Sequence, residues 1–134
     1  MEKIKVMLDT SAYSAYLRGN AGVKQVLREA DEIYLNPVVL GELFAGFVRG
    51  GREKKNRDIL RDFLASPRVQ VAVIDEETAE RYTAIITYLW SKGMPLPTND
   101  LWIAATAMQH GLKLITTDSH FRHMPQIIAE CCNV

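Results

Sequence analysis

Four acidic residues of this chain stand alone in otherwise apolar sequence. Asp9 is the only charge between Val6 and Leu17, Glu42 the only one between Pro37 and Val48, and Asp100 the only one between Pro95 and Gln109. Asp118 closes the apolar run that ends in Leu114-Ile115-Thr116. A carboxylate in a segment that otherwise seeks burial costs several kcal/mol unless it is paired, hydrogen-bonded or metal-bound. Those segments offer no equal set of basic residues. A divalent cation satisfies all four acids at once, and an all-oxygen donor set suits Mg²⁺ or Mn²⁺. Taken singly, three of the acids have ordinary explanations. Asp100 favours a helix dipole, Asp118 suits a turn or cap, and Asp9-Thr10-Ser11 is common turn chemistry. Glu42, a mid-helix glutamate among apolar neighbours, has none. Thr10, Ser11 and Thr116 carry hydroxyls able to donate to carboxylates, substrate or metal-bound water. Asn99 either caps a helix or donates beside Asp100, and Gly41 would permit close backbone packing next to Glu42.

To act together, these residues must be carried to one place. Residues 4–8 form a short apolar run that stops at Asp9, which predicts a buried strand ending in a turn. Helical stretches follow, broken near Gly19-Asn20 and resuming over 22–30, and a strand is predicted over 32–35. Asn36-Pro37 starts a helix, since Asn caps orphan amides and Pro suits the first helical position. That helix reaches about Val48, where Gly50-Gly51 breaks it. An amphipathic helix over 53–64 is ended by Ser66-Pro67. A strand is predicted over 69–74 and a helix over 76–92, stopped by Gly93. Thr98 or Asn99 then caps a helix that ends near His110. Strands over 112–116 and 126–129 flank a loop or short helix begun by Asp118.

Short buried strands alternating with helices predict an α/β layer fold with a mainly parallel sheet. In such sheets ligands bind outside the carboxyl ends of the strands. Asp9 and Asp118 fall at those ends, Glu42 about one turn into its helix, and Asp100 in a first helical turn. Helices that follow strands begin on the same side, so one crevice can hold all four.

The length of 134 residues suits a single domain over 1–134. Sixteen basic and sixteen acidic residues cancel, which removes any global pull toward nucleic acid. Locally, Arg49, Arg52, Lys54, Lys55 and Arg57 crowd together, either as a solvated helix face or as a phosphate-contacting rim. No apolar run approaches the roughly 20 residues that span a bilayer, and the N-terminus lacks signal-peptide character. A cytoplasmic location is expected. Cys131 and Cys132 are adjacent, too close for the ~5.5 Å between Cα atoms of a disulfide, and read as free thiols.

The segments Leu8-Asp9-Thr10-Ser11, Leu40-Gly41-Glu42-Leu43, Asn99-Asp100-Leu101-Trp102-Ile103-Ala104-Ala105 and Thr116-Thr117-Asp118-Ser119-His120-Phe121 resemble the motifs of PIN-domain nucleases. The likeness is greatest to VapC-type toxins of toxin–antitoxin pairs, and it covers essentially the whole chain in motif order. The resemblance implies a three-layer α/β/α sandwich and Mg²⁺- or Mn²⁺-dependent endonucleolytic cleavage of RNA. It implies Asp9, Glu42, Asp100 and Asp118 as the catalytic set, with the Thr116 hydroxyl beside them. Homodimers and inhibition by a small VapB-like antitoxin are further implications. No acid of the pattern is missing.

A site of this kind holds one or two cations over a phosphodiester for in-line attack by water, leaving a 5′ phosphate and a 3′ hydroxyl. Asp9, Asp100 and Asp118 are the expected metal ligands. Glu42 is expected to act through water or to position the nucleophile. His110, His120 and His123 read as surface or structural residues. Arg18, Arg49 and Arg52 are candidates for contacts to the RNA backbone. Tyr13, Tyr16, Phe44, Phe47 and Trp102 read as core, with an antitoxin interface as the alternative. Two other functions gather acids in the same way. A phosphoacceptor module would want a lone lysine at a late strand end, whereas Lys113 begins its strand. A catalytically silent binding module would use the acids to anchor a metal or a partner's arginine.

Overall fold

The computed structural model describes residues 2–132. Its centre is a sheet of five strands: Lys5–Leu8 (β1), Glu32–Leu35 (β2), Val69–Val71 (β3), Lys113–Thr116 (β4) and Ile128–Cys131 (β5). Every pairing is parallel, in the order β3-β2-β1-β4-β5. β1 and β4 lie side by side in the middle, with Met7 opposite Leu114 and Leu8 opposite Ile115. These four side chains are fully buried, as expected where helices cover both faces of a parallel sheet.

Six α-helices flank the sheet: Thr10–Leu17 (α1), Ala21–Glu29 (α2), Pro37–Gly50 (α3), Glu53–Leu64 (α4), Glu76–Ser91 (α5) and Thr98–His110 (α6). A 3-10 helix, Ser119–His123, joins β4 to β5. Crossovers from β1 to β2 to β3 run outward one way, and those from β3 to β4 to β5 run the other. Right-handed crossovers therefore place α1–α4 on one face and α5–α6 on the other. The strand order reverses between β1 and β4, the point at which such sheets open a crevice. Among the described residues, no helix is long and apolar enough to cross a membrane.

Asn36 starts α3 as its sequence predicts, and does more. Its side chain accepts from the Val39 amide at 3.0 Å and donates to the Thr106 hydroxyl of α6 at 2.9 Å. The residue is fully buried and so ties together the two helices that carry Glu42 and Asp100. Asn36→Ala removes a cap worth ~1 kcal/mol and a buried hydrogen bond worth about as much. The expected loss is about 2 kcal/mol, seen in thermal denaturation as a fall in Tm of roughly 8 °C.

Several boundaries differ from expectation, each for a local reason. α3 continues to Gly50, and Gly51 (φ +80°) ends it in the left-handed region that glycine tolerates. β3 pairs only over Val69–Val71 because it is the edge strand, and Val73 is 65% exposed. β5 begins at Ile128 rather than near 126, since the Ile127 amide is taken by the Met124 carbonyl in a turn. α6 begins after Pro97 with no side-chain cap, so neither Thr98 nor Asn99 caps it. Cys131 and Cys132 are free thiols.

Candidate active site

Asp9 follows β1 and is the N-cap of α1, with its Oδ1 accepting from the Ala12 amide at 2.8 Å. Asp118 follows β4 and caps the 3-10 helix by accepting from the His120 amide at 2.8 Å. Glu42 projects from the second turn of α3, and Asp100 from the first turn of α6. All four line one crevice of about 250 Å³ at the carboxyl ends of β1 and β4. Thr10, Ser11, Ser14 and Ile103 complete its walls, and among the described residues no lysine or arginine lines it.

Hydroxyl and amide groups hold the acids in place. Thr116 Oγ1 donates to Asp9 Oδ2 at 2.5 Å and accepts from the Asp118 amide at 2.9 Å, so one fully buried threonine joins the two strand ends. Ser11 Oγ donates to Asp9 Oδ1 at 2.8 Å and accepts from the Thr117 amide at 3.0 Å. Thr10 Oγ1 donates to Glu42 Oε1 at 2.5 Å, and Asn99 Nδ2 donates to Glu42 Oε2 at 3.3 Å. Glu42 is thereby braced by α1 and by α6.

The electrostatics are those of a site short of positive charge. Burial pushes the Asp9 carboxyl above its ordinary range, opposed by hydrogen bonds from Thr116, Ala12 and Ser11, with nearby Asp118 adding to the rise. Burial also raises Asp100; the hydrogen bond with His120 opposes this, and the neighbouring charges of Asp118 and Glu42 reinforce it. His120 is raised in turn, chiefly by its hydrogen bond with Asp100.

The three hydroxyls singled out in the sequence, Thr10, Ser11 and Thr116, all meet the acids. Gly41 does not act as expected: a Cβ there would meet nothing within 4 Å, so no close packing requires the glycine. Arg18 ends α1, Arg49 lies in the last turn of α3, and Arg52 precedes α4; all three are exposed and outside the crevice. In the basic stretch, Lys54 and Arg57 pair with Asp58 and Glu53, as on a solvated helix face. Tyr13 and Phe47 are core, whereas Tyr16, Phe44 and Trp102 are half-buried. Lys113 pairs with Glu130 at 2.6 Å at the start of β4, far from where a phosphoacceptor site needs its lysine.

Two participants escape the charge-isolation reading. Asn99 points its amide at Glu42 instead of capping. His120 is not a bystander: its Nδ1 lies 2.9 Å from Asp100 Oδ2 and 3.4 Å from Asp118 Oδ1. Among the described residues, Asp100, Asp118 and His120 form the one group of three whose potential ligand atoms all lie within 4.8 Å of one another. The only available signal was its position two residues after Asp118, within reach of that carboxylate.

A parallel sheet with acids converging at its switch point defines a class, and comparison with known proteins agrees. The chain belongs to the PIN domain family, whose model matches residues 6–127. It is 33% identical over 113 residues to Ribonuclease VapC1 of Rickettsia felis, covering 83% of each chain. It is 31% identical over 90 residues to Ribonuclease VapC4 of Mycobacterium tuberculosis, covering 67% of this chain and 69% of that one. Its fold superposes with a TM-score of 0.82 and 25% identity on a chain of VapBC2 from Rickettsia felis bound to a DNA fragment from their promoter, covering 93% of this chain and 96% of that one.

Proposed function

We propose that this chain is a metal-dependent endoribonuclease that hydrolyses RNA phosphodiester bonds, and the toxin of a VapBC-type toxin–antitoxin pair. One observation carries the reading: four carboxylates from four separate segments share a crevice that, among the described residues, no lysine or arginine lines. The donor set fits a divalent cation. It consists of hard oxygens, and two of its carboxyls, Asp9 and Asp100, are already raised, chiefly by burial and further by the charge of Asp118. Asp9, Asp100 and Asp118 would hold Mg²⁺ or Mn²⁺. When bound, the cation supplies charge neutralisation for the phosphodiester and a more acidic water.

The rest falls to the chain itself. Thr116 and Ser11 keep Asp9 oriented toward the crevice. Thr10 and Asn99 fix both oxygens of Glu42, which positions the attacking water. Arg18, Arg49 and Arg52 lie outside the crevice and contact the RNA backbone on its way in. A VapB-like antitoxin belongs to the same reading, supported by the likeness to VapBC assemblies; a homodimer and a cytoplasmic setting complete it.

The test uses metal-stripped protein and total RNA. Cleavage is expected on addition of Mg²⁺ or Mn²⁺ and none in chelator, with mapped ends carrying 5′ phosphates. Cleavage that survives chelation would overturn the metal dependence. Equal cleavage by wild type and Asp9→Asn would overturn the site.

A further inference from the structure

We propose that His120 is a nitrogen ligand of the divalent cation, and that it biases the crevice toward first-row transition ions over Mg²⁺. The proposal rests on the reading of the carboxylate crevice as a metal site. What the acids do not supply by themselves is a nitrogen donor set at ligand spacing from them. Adjacent ligands of an octahedral ion bound at about 2.1 Å stand roughly 3 Å apart along an edge. His120 Nδ1 stands 2.9 Å from Asp100 Oδ2 and 3.4 Å from Asp118 Oδ1, close to two such edges.

The ring is placed, not merely nearby. The His120 amide donates to Asp118 Oδ1 at 2.8 Å, which locks the backbone to the acid. The following residue, Phe121, is 2% exposed and anchors the 3-10 helix in the core. The imidazole still presents 43% of its side-chain surface, so an ion entering from solvent meets it.

The consequence is selectivity. Mg²⁺ takes oxygen ligands almost exclusively and gives up water reluctantly. Imidazole binds first-row transition ions well, increasingly from Mn²⁺ to Co²⁺ and beyond. One imidazole added to the carboxylate set therefore favours Mn²⁺ or Co²⁺ over Mg²⁺ more strongly than the acids would alone.

The experiment loads the metal-stripped full chain with Mn²⁺ and records pulsed electron paramagnetic resonance. Imidazole ¹⁴N coupling to Mn²⁺ is expected in the wild type, in His110→Ala and in His123→Ala, and is expected to vanish in His120→Ala. Calorimetric titration with Mn²⁺, Co²⁺ and Mg²⁺ should show the Mn²⁺-to-Mg²⁺ affinity ratio falling on the order of tenfold in His120→Ala. Should that variant not fold, the wild-type spectrum and the two other histidine variants still decide. Tight Mn²⁺ binding without ¹⁴N coupling, or coupling lost with His110 or His123 instead, overturns the role of His120 and leaves the carboxylate site standing. Mn²⁺ binding that is absent, or unchanged by Asp100→Asn, overturns the metal site itself.

Discussion

Asp100→Asn is expected to cut RNA cleavage by about three orders of magnitude while making the metal-free protein more resistant to heat. The two effects share one cause. In the proposed site Asp100 holds the cation, and loss of one preorganised electrostatic contact typically costs ~10²–10³ in rate. Without the cation, the same carboxylate sits half-buried beside Asp118 and Glu42, and its pKa is raised. The sign follows from proton linkage. A folded-state pKa above the unfolded value means that the folded form binds more protons as pH climbs past about 3.8, so stability falls with pH until the folded pKa is passed. The penalty then persists at neutral pH, and asparagine removes it. Asp9 is raised for the same main reason and adds to the penalty. The gain in Tm should therefore be visible at pH 7 and disappear below the unfolded carboxylate pKa. Adding Mn²⁺ should reverse the order, since an ion at 100 times its Kd stabilises wild type by ~2.7 kcal/mol. Scanning fluorimetry at several pH values, with and without Mn²⁺, measures all of this. A lower Tm for the metal-free variant at pH 7 would refute the charge-strain account.

Thr116→Val should act in the opposite direction on stability. Its volume hardly changes, but buried Asp9 loses its shortest hydrogen bond and the half-buried Asp118 amide loses its acceptor. A buried polar group left unpaired costs ~1–3 kcal/mol, which corresponds to a fall in Tm of roughly 4–12 °C. The Asp9 carboxyl should rise further, because the Thr116 bond is the largest influence holding it down. Cleavage should drop by about 10- to 100-fold, since Asp9 and Asp118 are no longer registered to each other. Thr116→Ser keeps the hydroxyl and should recover most of both losses. If serine fails where valine fails equally, packing rather than the hydroxyl would be responsible.

Much of the site was legible because burial is expensive for charge. Asp9, Glu42, Asp100 and Asp118 each break an apolar segment, and that alone marks them as a set requiring compensation. Asn36-Pro37 read correctly as a helix start, since capping is local chemistry. The parallel sheet followed from short apolar runs alternating with helices. Contacts made between distant segments were less readable. Asn99 suits an N-cap by local rules, yet Pro97 already sets the start of α6 and leaves the amide to brace Glu42, 57 residues away in sequence. His120 carries no hydrophobic or charge signature that separates it from His110 or His123.

Asp100 shows where the boundary lies. The expectation that helices begin at the carboxyl ends of strands does not apply to it, because α6 follows α5 and not a strand. Its position comes from an antiparallel helix pair. Gln109 near the end of α6 bonds Asp75 and Thr78 at the start of α5, and Tyr82 stacks on Trp102 with ring centroids 4.2 Å apart. That packing returns the start of α6 to the crevice. The amino-acid sequence by itself determined which four acids interrupt apolar segments and so need compensation as a set, because the cost of burying a carboxylate is local. Only the tertiary structure decided that they meet, and that Asn99 and His120 meet them. Convergence depends on helix–helix packing and on the reversal of strand order between β1 and β4, neither of which any single segment encodes.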